Sequence, residues 1–442
     1  MTDNGRERLR EWLQSGRARL QPLSLTQQEL WYAAPYPAGD PSNHIGGLLF
    51  VRGPLRWRLL EQALGQVAAR QEVLRLSVLP GRTEPVQLIR EEMQPVLRAD
   101  AASDFKGEAT AVEEAAEAIF AEPFDLTHGP LYRVHVVERD RDDFVIVLTI
   151  HHAIADGWTI GVFMEDLWKA YFNLLLGHGT TLPPVQQAYT RWAAEDRSFW
   201  TADEIGPRSE FWKTKLTGAR RLLDAPLQPS GRRRRLRTRL APDRAERLRR
   251  TARKSGSTLF STLLAAFRLT LAEWRGVQDI LVGTPVANRS RSATRQTMGS
   301  FAGLVPLRGE VRQSLAFADH IAAAQDDTRD AFAQTLPFVR LVEALGEDVV
   351  PGRNPVFDVR FALQNHPMPD LAYPGLSIRM HLLSTGTARF DLGCEVTEEG
   401  NQMEAVWLYR ADLFNDSEMA ALDRLWCELL DAACSEVLEG RG

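Results

Sequence analysis

The length, composition and charge of this sequence limit its class before any motif is considered. Its 442 residues exceed the usual size of one hydrophobic core, and 44% hydrophobic with 25% charged residues is a globular composition, so two folded units are expected. A net charge of −5 argues against general nucleic-acid binding, which needs a concentrated excess of Lys and Arg. The one dense basic run, residues 232–239, is interpreted as a solvated loop that leads into a strand.

The N-terminal segment and the cysteines indicate the compartment. Residues 1–20 are charged throughout and lack the apolar block of a signal peptide, and the longest aliphatic runs are too short to span a bilayer. Cys394, Cys427 and Cys434 are odd in number and lack metal-ligand spacing, as expected for thiols in a reducing cytosol. A soluble cytoplasmic protein without membrane contact is therefore expected, as a monomer.

The first half of the chain alternates between strand and helix periodicity. The predicted elements are a strand at 44–55, a helix at 56–78, a helix at 109–124 ended by Pro123, a hairpin at 131–152 and a helix at 159–176. A Gly, Thr and Pro cluster at 177–184 has the composition of a linker. It predicts an N-terminal unit at 1–180 and a C-terminal unit at 181–442.

The second half repeats this alternation with a different sequence. Strands are predicted at 234–240, 279–286, 355–365 and 391–399, and helices at 241–256, 258–276 and 415–435. Asn415 or Ser417 is the expected N-cap of the closing helix. Two α/β units of similar construction follow from this pattern.

Two adjacent histidines end the second strand of the predicted hairpin, in "FVIVLTIHHAIADGWT" at residues 144–159. Successive side chains of a strand point to opposite faces, so His151 and His152 are poorly placed to share one metal. No zinc-binding or phosphate-binding motif accompanies them, and no metal site is expected. One histidine should therefore face the interior of its unit and the other should face a cleft.

The residues after the histidines favour catalysis over a purely structural role. A proton acceptor at the end of a rigid strand, a turn carboxylate and a glycine together provide a base, an orienting charge and space for substrate. Asp156 would be costly to bury alone, so it needs a cationic partner, for which Arg289 is the candidate.

"HHAIADGWT" resembles the HHxxxDG motif of the chloramphenicol acetyltransferase-like superfamily, and Trp158 points to the condensation domains of nonribosomal peptide synthetases. Seven further segments resemble this family in the same order along the chain. They are "SLTQQELW" (24–31), "RQEVLR" (70–75), "DILVGTPVANR" (279–289), "MGSFAGLVPLR" (298–308), "QTLPFVRLVEAL" (334–345), "GRNPVFDVRFALQN" (352–365) and "RFDLGCEVTE" (389–398). The sequence is therefore identified as a member of this family, similar to its starter-type or stand-alone members.

The resemblance implies a fold and a reaction. The fold is two acetyltransferase-like lobes, each a mixed sheet with helices, which form a V-shaped pseudo-dimer around a central tunnel. The reaction is attack by an amine, or by an alcohol, on an acyl or aminoacyl thioester that the phosphopantetheine of a carrier protein delivers. No permanently bound cofactor is implied.

The resemblance also assigns roles to single residues. His152 faces the reaction centre and His151 is mainly structural, while Asp156 pairs with Arg289. Gly157, through its backbone N–H and together with Thr159, helps the developing oxyanion. The candidate tunnel residues are Trp158, Thr159, Phe301, Gly303 and Gln364.

Five positions depart from the family pattern and leave partner and substrate preferences open. They are Glu29 in place of Arg, Gln71 in place of His, Arg191 in place of Asp, Gly303 in place of Asn and Val339 in place of Glu. Two alternatives to the condensation reaction remain. One is an O-acyltransferase of the same fold that uses coenzyme A or a polyketide carrier, and the other is a non-catalytic recruitment domain. A free-standing enzyme and one domain of a larger synthetase both fit the sequence.

Overall fold

A computed structural model describes residues 3–33, 41–81, 84–100, 105, 109–178, 182–223, 225, 233–350, 353–364, 369, 371–383 and 390–440. The helices are α1 Asp3–Gln14, α2 Leu25–Ala33, α3 Trp57–Arg70, α4 Ala109–Ala121, α5 Gly157–Leu175, α6 Tyr189–Phe199, α7 Ala202–Leu216, α8 Pro242–Lys254, α9 Leu259–Arg275, α10 Phe317–Ala333, α11 Phe338–Leu345 and α12 Asp416–Glu439. Short 3₁₀ turns lie at Glu72–Arg75, His152–Ile154 and elsewhere between these elements.

The strands form three sheets within the described ranges. They are β1 Ala18–Pro22, β2 His44–Arg52, β3 Leu76–Leu79, β4 Val86–Arg90, β5 Leu97–Asp100, β6 Tyr132–Asp140, β7 Asp143–His151, β8 Arg233–Leu240, β9 Asp279–Val286, β10 Gly303–Glu310, β11 Val359–Gln364, β12 Ala372–Tyr373, β13 Leu376–Leu383, β14 Leu392–Glu399 and β15 Gln402–Arg410. Two six-stranded sheets have the orders β12-β13-β2-β7-β6-β5 and β10-β9-β11-β14-β15-β8, and a small sheet has the order β1-β4-β3. Both large sheets are mixed, because β5 is parallel to β6 and β11 is parallel to β9 and β14.

The strand that ends at the histidines lies inside its sheet. β7 pairs antiparallel with β2 on one side and with β6 on the other, over nearly its full length. Its side chains from Val145 to Ile150 are buried, because helices α3 and α5 pack against one face and α4 covers the other. Because β7 is paired on both edges and covered on both faces, the backbone that leads to His151 and His152 is held rigidly.

One strand of the first sheet comes from the second half of the sequence. β13 pairs antiparallel with β2 from Ser377 opposite Arg52 to Leu383 opposite Gly46. Leu376 and Ile378 are buried in the same apolar cluster as the first-half helices α3 and α5. The division of the chain near residue 180 stays a prediction, but this sheet contains residues from both sides of it, and residues 179–181 lie outside the described part of the chain.

The helix predicted at 56–78 is confirmed as far as Arg70 and is wrong after it. α3 ends at Arg70, Glu72–Arg75 forms one 3₁₀ turn, and Leu76–Leu79 is a strand that pairs with β4. Gln71 is extended, with φ −104° and ψ 101°, and its side chain binds groups of other elements. These tertiary contacts override the apolar spacing that continues past Arg70.

The closing helix begins as the sequence predicts. The side chain of Asn415 accepts from the N–H of Glu418, and the Glu418 carboxylate accepts from the N–H of Asn415. This reciprocal pair selects Asn415 over Ser417 as the N-cap.

Candidate active site

The two histidines occupy different environments at the end of β7. His151 is the last residue of the strand and is buried, whereas His152 begins a 3₁₀ turn and is half-buried. Nδ1 of His151 accepts a hydrogen bond of 3.1 Å from the N–H of Ala153. The alternation of strand side chains therefore does not extend to His152, because the strand ends at His151, and His152 is the more exposed of the two.

His151 lies in an aromatic cluster rather than facing a cleft. Its ring is 6.1 Å from the rings of His44 and Phe124, in edge-on geometry, and His44 is its cross-strand partner. Burial lowers the pKa of His151 to about 3, with smaller contributions from His44 and His152. The side chain is therefore neutral near pH 7, as a hydrogen-bond acceptor for Ala153 must be.

This burial predicts acid sensitivity of the fold. Between pH 6.5 and pH 3 the unfolded chain binds a proton at His151 that the folded protein does not bind. The free energy of unfolding should therefore fall as the pH drops through this window, by up to about 1.4 kcal/mol per pH unit. His151→Asn keeps an acceptor for Ala153 but removes the titrating group, so urea unfolding from pH 7.5 to pH 4.5 should show a shallower loss for this variant. His178→Asn, at an exposed position, is the control; equal slopes for all three proteins would contradict the prediction.

Asp156 is the N-cap of α5 and accepts hydrogen bonds from three sides. Its Oδ1 accepts from the N–H and the hydroxyl of Thr159, at 2.9 and 2.8 Å. Its Oδ2 accepts from the N–H of Phe301 at 3.1 Å. The carboxylate thereby joins the turn after the histidines to a segment about 145 residues further along the chain.

Arg289 forms a buried ion pair with this carboxylate. Its Nη2 lies 3.0 Å from Oδ1 and 3.2 Å from Oδ2 of Asp156, and both side chains are no more than 2% exposed. Nη1 donates to the carbonyl oxygens of Thr294 and Thr297. The guanidinium also lies 3.9 Å from the ring centre of Phe301, a cation–π distance.

The ion pair keeps Asp156 charged despite its burial. Burial by itself would raise the pKa of Asp156, but Arg289 and the hydrogen bonds from Thr159 outweigh it and hold this pKa below its usual range. The carboxylate is thus an anion with its acceptor positions occupied by protein donors. This arrangement is that of a group that holds a loop in place rather than one that accepts a proton from substrate.

Residues 289–301, which we call the crossover strap, are bound to the first half of the chain at several further points. Thr159 also contacts the backbone of Gly299. Its hydroxyl oxygen accepts from the N–H at 3.1 Å and lies 2.9 Å from the carbonyl oxygen, which competes with Asp156 for the single hydroxyl proton. Gln71 donates to the carbonyl of Gln296 and accepts from the N–H of Met298, both at 3.0 Å. The crossover strap is therefore fixed in register against the turn that carries His152.

The candidate tunnel residues do not all face open space. Thr159 and Phe301 are fully buried, since Thr159 binds Asp156 and Phe301 packs against Tyr189, Trp192 and Arg289. Both residues therefore stabilise the turn. The donors of Thr159 are directed at Asp156 and the crossover strap rather than at an oxyanion.

Gly157 is exposed at the first position of α5, where amide groups have no acceptor within the helix.

The other candidates line two clefts or lie beside them. Trp158 is half-buried, donates from Nε1 to the carbonyl of Arg295, and lines a groove of about 610 Å³ with Phe172 and Tyr373. Gly303 begins β10, and Gln364 ends β11 next to Leu363. Leu363 lines a second cleft of about 800 Å³, which extends along the ends of β9, α9 and α10 and includes Arg289 in its wall.

Comparison with known proteins identifies the family. The family model described as Condensation domain matches residues 17–440. The chain belongs to the condensation domain family. The assignment made from the motifs is confirmed, and so is the predicted fold class of two mixed sheets with helices.

Curated relatives contain this domain as part of much longer proteins. Tyrocidine synthase 3 of Brevibacillus parabrevis is 28% identical over 430 residues, which are 94% of this chain and 6% of that protein. Phosphinothricin tripeptide synthetase PhsC of Streptomyces viridochromogenes is 30% identical over 419 residues, which are 91% of this chain and 38% of that protein. This condensation domain therefore spans well under half the length of these relatives.

Solved structures share the fold. A mutant of the starter condensation domain of rhizomide synthetase, in complex with C8-CoA, aligns with a TM-score of 0.83 over 95% of both chains, at 19% identity. Condensation domains form amide bonds by acyl transfer, so the enzyme class of this family is acyltransferase.

Within the described ranges, no group of three His, Cys, Asp or Glu side chains could hold a metal ion. None of the helices in these ranges combines the length and the hydrophobicity that spanning a bilayer requires.

Three residues of this condensation domain were missed by sequence reasoning about its site. Gln71 binds the crossover strap, Tyr189 donates to the carbonyl of Ser300 at 3.0 Å, and Asn288 binds the carbonyl of Phe301. Gln71 could have been found, because it departs from the family pattern next to a conspicuous motif. Tyr189 gave no signal, because its partner lies 111 residues further along the chain. The contact of Asn288 spans only 13 residues, but it depends on the pairing of β9 with β10, which the local pattern does not show.

Proposed function

We propose that this condensation domain joins a carrier-bound acyl or aminoacyl group to an amine and forms an amide. The amine nitrogen attacks the thioester carbonyl carbon, the carbon–sulfur bond breaks, and the amine proton leaves through His152 while the thiolate of the phosphopantetheine is released and protonated. The observation that carries the proposal is the placement of His152, half-buried at the end of a rigid strand and beside a turn held by the Asp156–Arg289 ion pair.

His152 is proposed as the catalytic group, and Asp156 and His151 as residues that support it. An α-amino group titrates at about 7.7–8.0, so an aminoacyl acceptor is partly neutral near pH 7 and the base need not remove a proton before attack. His152 accepts the proton as the nitrogen becomes positively charged. Gly157 is exposed and its N–H lies at a helix N-terminus, which favours a developing negative charge on the carbonyl oxygen.

The proposal includes partners and a location. Carrier proteins deliver the thioesters on phosphopantetheine, so the domain itself needs no permanently bound cofactor. Cys394 and Cys434 are buried free thiols and Cys427 is a half-buried one, in agreement with a reducing cytosol. We infer a cytoplasmic monomer that contacts carrier proteins and small-molecule substrates.

The experiment that tests the reaction uses intact-protein mass spectrometry. A panel of acyl-loaded carrier proteins is mixed with amines, alcohols and aminoacyl carriers, with wild-type protein and with His152→Ala. Transfer to an amine or aminoacyl carrier that the variant loses supports amide formation. Transfer only to alcohols supports the O-acyltransferase alternative, and equal transfer by both proteins, or none, supports a recruitment role.

A further inference from the structure

The end of β9 and the start of β10 approach each other at Asn288 and Gly303. Gly303 pairs with Val286 in the antiparallel register of these strands, and Asn288 follows two residues later in a left-handed conformation with φ 51°. The Nδ2 of Asn288 donates to the carbonyl oxygen of Phe301 at 2.9 Å. This bond fixes both the position of the carboxamide and its orientation, because a carbonyl oxygen can only accept.

The carboxamide of Asn288 lies close to the position that a side chain at residue 303 would occupy. A Cβ at position 303 would lie 3.1 Å from Nδ2 of Asn288 and 3.8 Å from Cγ2 of Val286. The first distance is tighter than ordinary van der Waals contact, so a side chain at 303 would force Asn288 to shift. Position 303 is also where the sequence departs from the asparagine of the family pattern. In this chain, therefore, a side-chain carboxamide at position 288 is found next to a position, 303, that has no side chain.

Asn288 faces the cleft of about 800 Å³. It is exposed and lines this cleft together with Arg289, Phe260 and Leu363. One N–H of its carboxamide binds Phe301, and its Oδ1 has no hydrogen-bond partner among the described residues. A neutral donor and a neutral acceptor thus remain for a ligand, in a wall that also presents apolar side chains.

The two peptide groups that flank Phe301 link the carboxamide of Asn288 to the turn of the catalytic motif. The N–H of Phe301 donates to Asp156, four residues after His152, and its carbonyl accepts from Asn288. Asn288 is therefore anchored to the same rigid segment that holds the reaction centre. A ligand bound by Asn288 would be held at a fixed position relative to His152.

We propose that Asn288 is a substrate-binding residue that hydrogen-bonds an amide group of a pantetheine arm in this cleft, and that Gly303 makes room for it. The inference rests on the proposed function, because that function brings the arm to this domain. A primary carboxamide offers one donor and one acceptor, which match the N–H and C=O of the secondary amides in such an arm.

Kinetics with full and truncated arms test this contact. Asn288→Gly removes the carboxamide and tolerates the positive φ, and Asn401→Gly is the matched control, since it removes an exposed carboxamide from the turn between β14 and β15, outside the cleft lining. Asn288→Gly should raise KM for pantetheine-borne substrate about 3- to 10-fold, the effect of one neutral hydrogen bond, and change kcat less than about twofold. With ethanethiol thioesters, which lack the arm amides, KM should not change. Truncating the donor arm and the acceptor arm separately shows which one binds.

A double-mutant cycle tests the link between positions 288 and 303 without any activity assay. Gly303→Asn should lower the urea midpoint of unfolding, and adding Asn288→Gly should restore most of the loss, because the competing side chain is then gone. Additive midpoints, an unchanged KM in Asn288→Gly, or an equal rise in KM in Asn401→Gly would each overturn the inference. Absence of transfer by wild-type protein on every donor would instead refute the proposed function, and the unfolding cycle would still decide whether the two positions are coupled.

Discussion

Replacing His152 with alanine should lower the turnover number of amide formation by about 10²- to 10⁴-fold, the usual contribution of a positioned general base. The urea midpoint should stay near that of the wild type, because His152 is only half-buried and follows a strand that is paired on both edges. Single-turnover mass spectrometry of an acyl-loaded carrier gives the rate, and urea unfolding gives the stability.

A control histidine and a second acceptor sharpen this result. His178→Ala, at an exposed position after α5, should leave the rate unchanged. With an alcohol acceptor the loss in His152→Ala should be larger than with an amine. A neutral amine attacks before it loses a proton, whereas a hydroxyl is a weak nucleophile until a base removes its proton. Full activity of His152→Ala with a folded protein would show that the group is not the base.

Replacing Asp156 with asparagine should lower the free energy of unfolding by about 3–5 kcal/mol, the usual effect of removing one partner of a buried ion pair. Arg289 is only 1% exposed and would keep its charge without a counterion. Because the pKa of Asp156 in the folded protein lies below its unfolded value, the stabilisation is fully present above about pH 4 and is lost as the pH falls below it. Urea unfolding at pH 7 measures the effect.

Two further variants distinguish the loss of the ion pair from a nonspecific loss of stability. Asp203→Asn changes an exposed carboxylate in the first turn of α7 and should shift the free energy of unfolding by no more than about 0.5 kcal/mol. Asp156→Asn combined with Arg289→Met removes both charges, and it should be less destabilised than the sum of the single variants. A stable but inactive Asp156→Asn protein would show instead that the carboxylate takes part in the reaction.

Local pattern was sufficient for most elements that carry the histidine motif. The patterns at 44–55 and 131–152 predict β2 and the hairpin of β6 and β7. The apolar spacing of 159–176 predicts α5, which begins two residues earlier than expected because Asp156 caps it. The pairing of Asp156 with Arg289 was expected because burying an unpaired carboxylate costs free energy, so a carboxylate in a buried turn requires a cation. Such arguments need no knowledge of the tertiary fold.

The remaining features depend on contacts between distant parts of the chain. The end of α3 at Arg70 is set by what Gln71 binds, and the burial of Thr159 and Phe301 is set by the crossover strap. Periodicity in one segment carries no information on which other segment will cover it. For the same reason, Asn288 looked like an ordinary loop residue until its distance to Gly303 could be read.

The addition of β13 to the sheet of the first half has a consequence for fragments of this protein. A polypeptide ending near residue 180 would contain β2 with one edge bare, since the seven residue pairs between β13 and β2 would be missing. That edge carries "GGLLFVR", an apolar run whose free backbone groups would be a template for another chain. We expect such a fragment to aggregate, and co-expression with residues 181–442 to recover soluble protein. The first sheet is therefore complete only when both halves of the sequence are present.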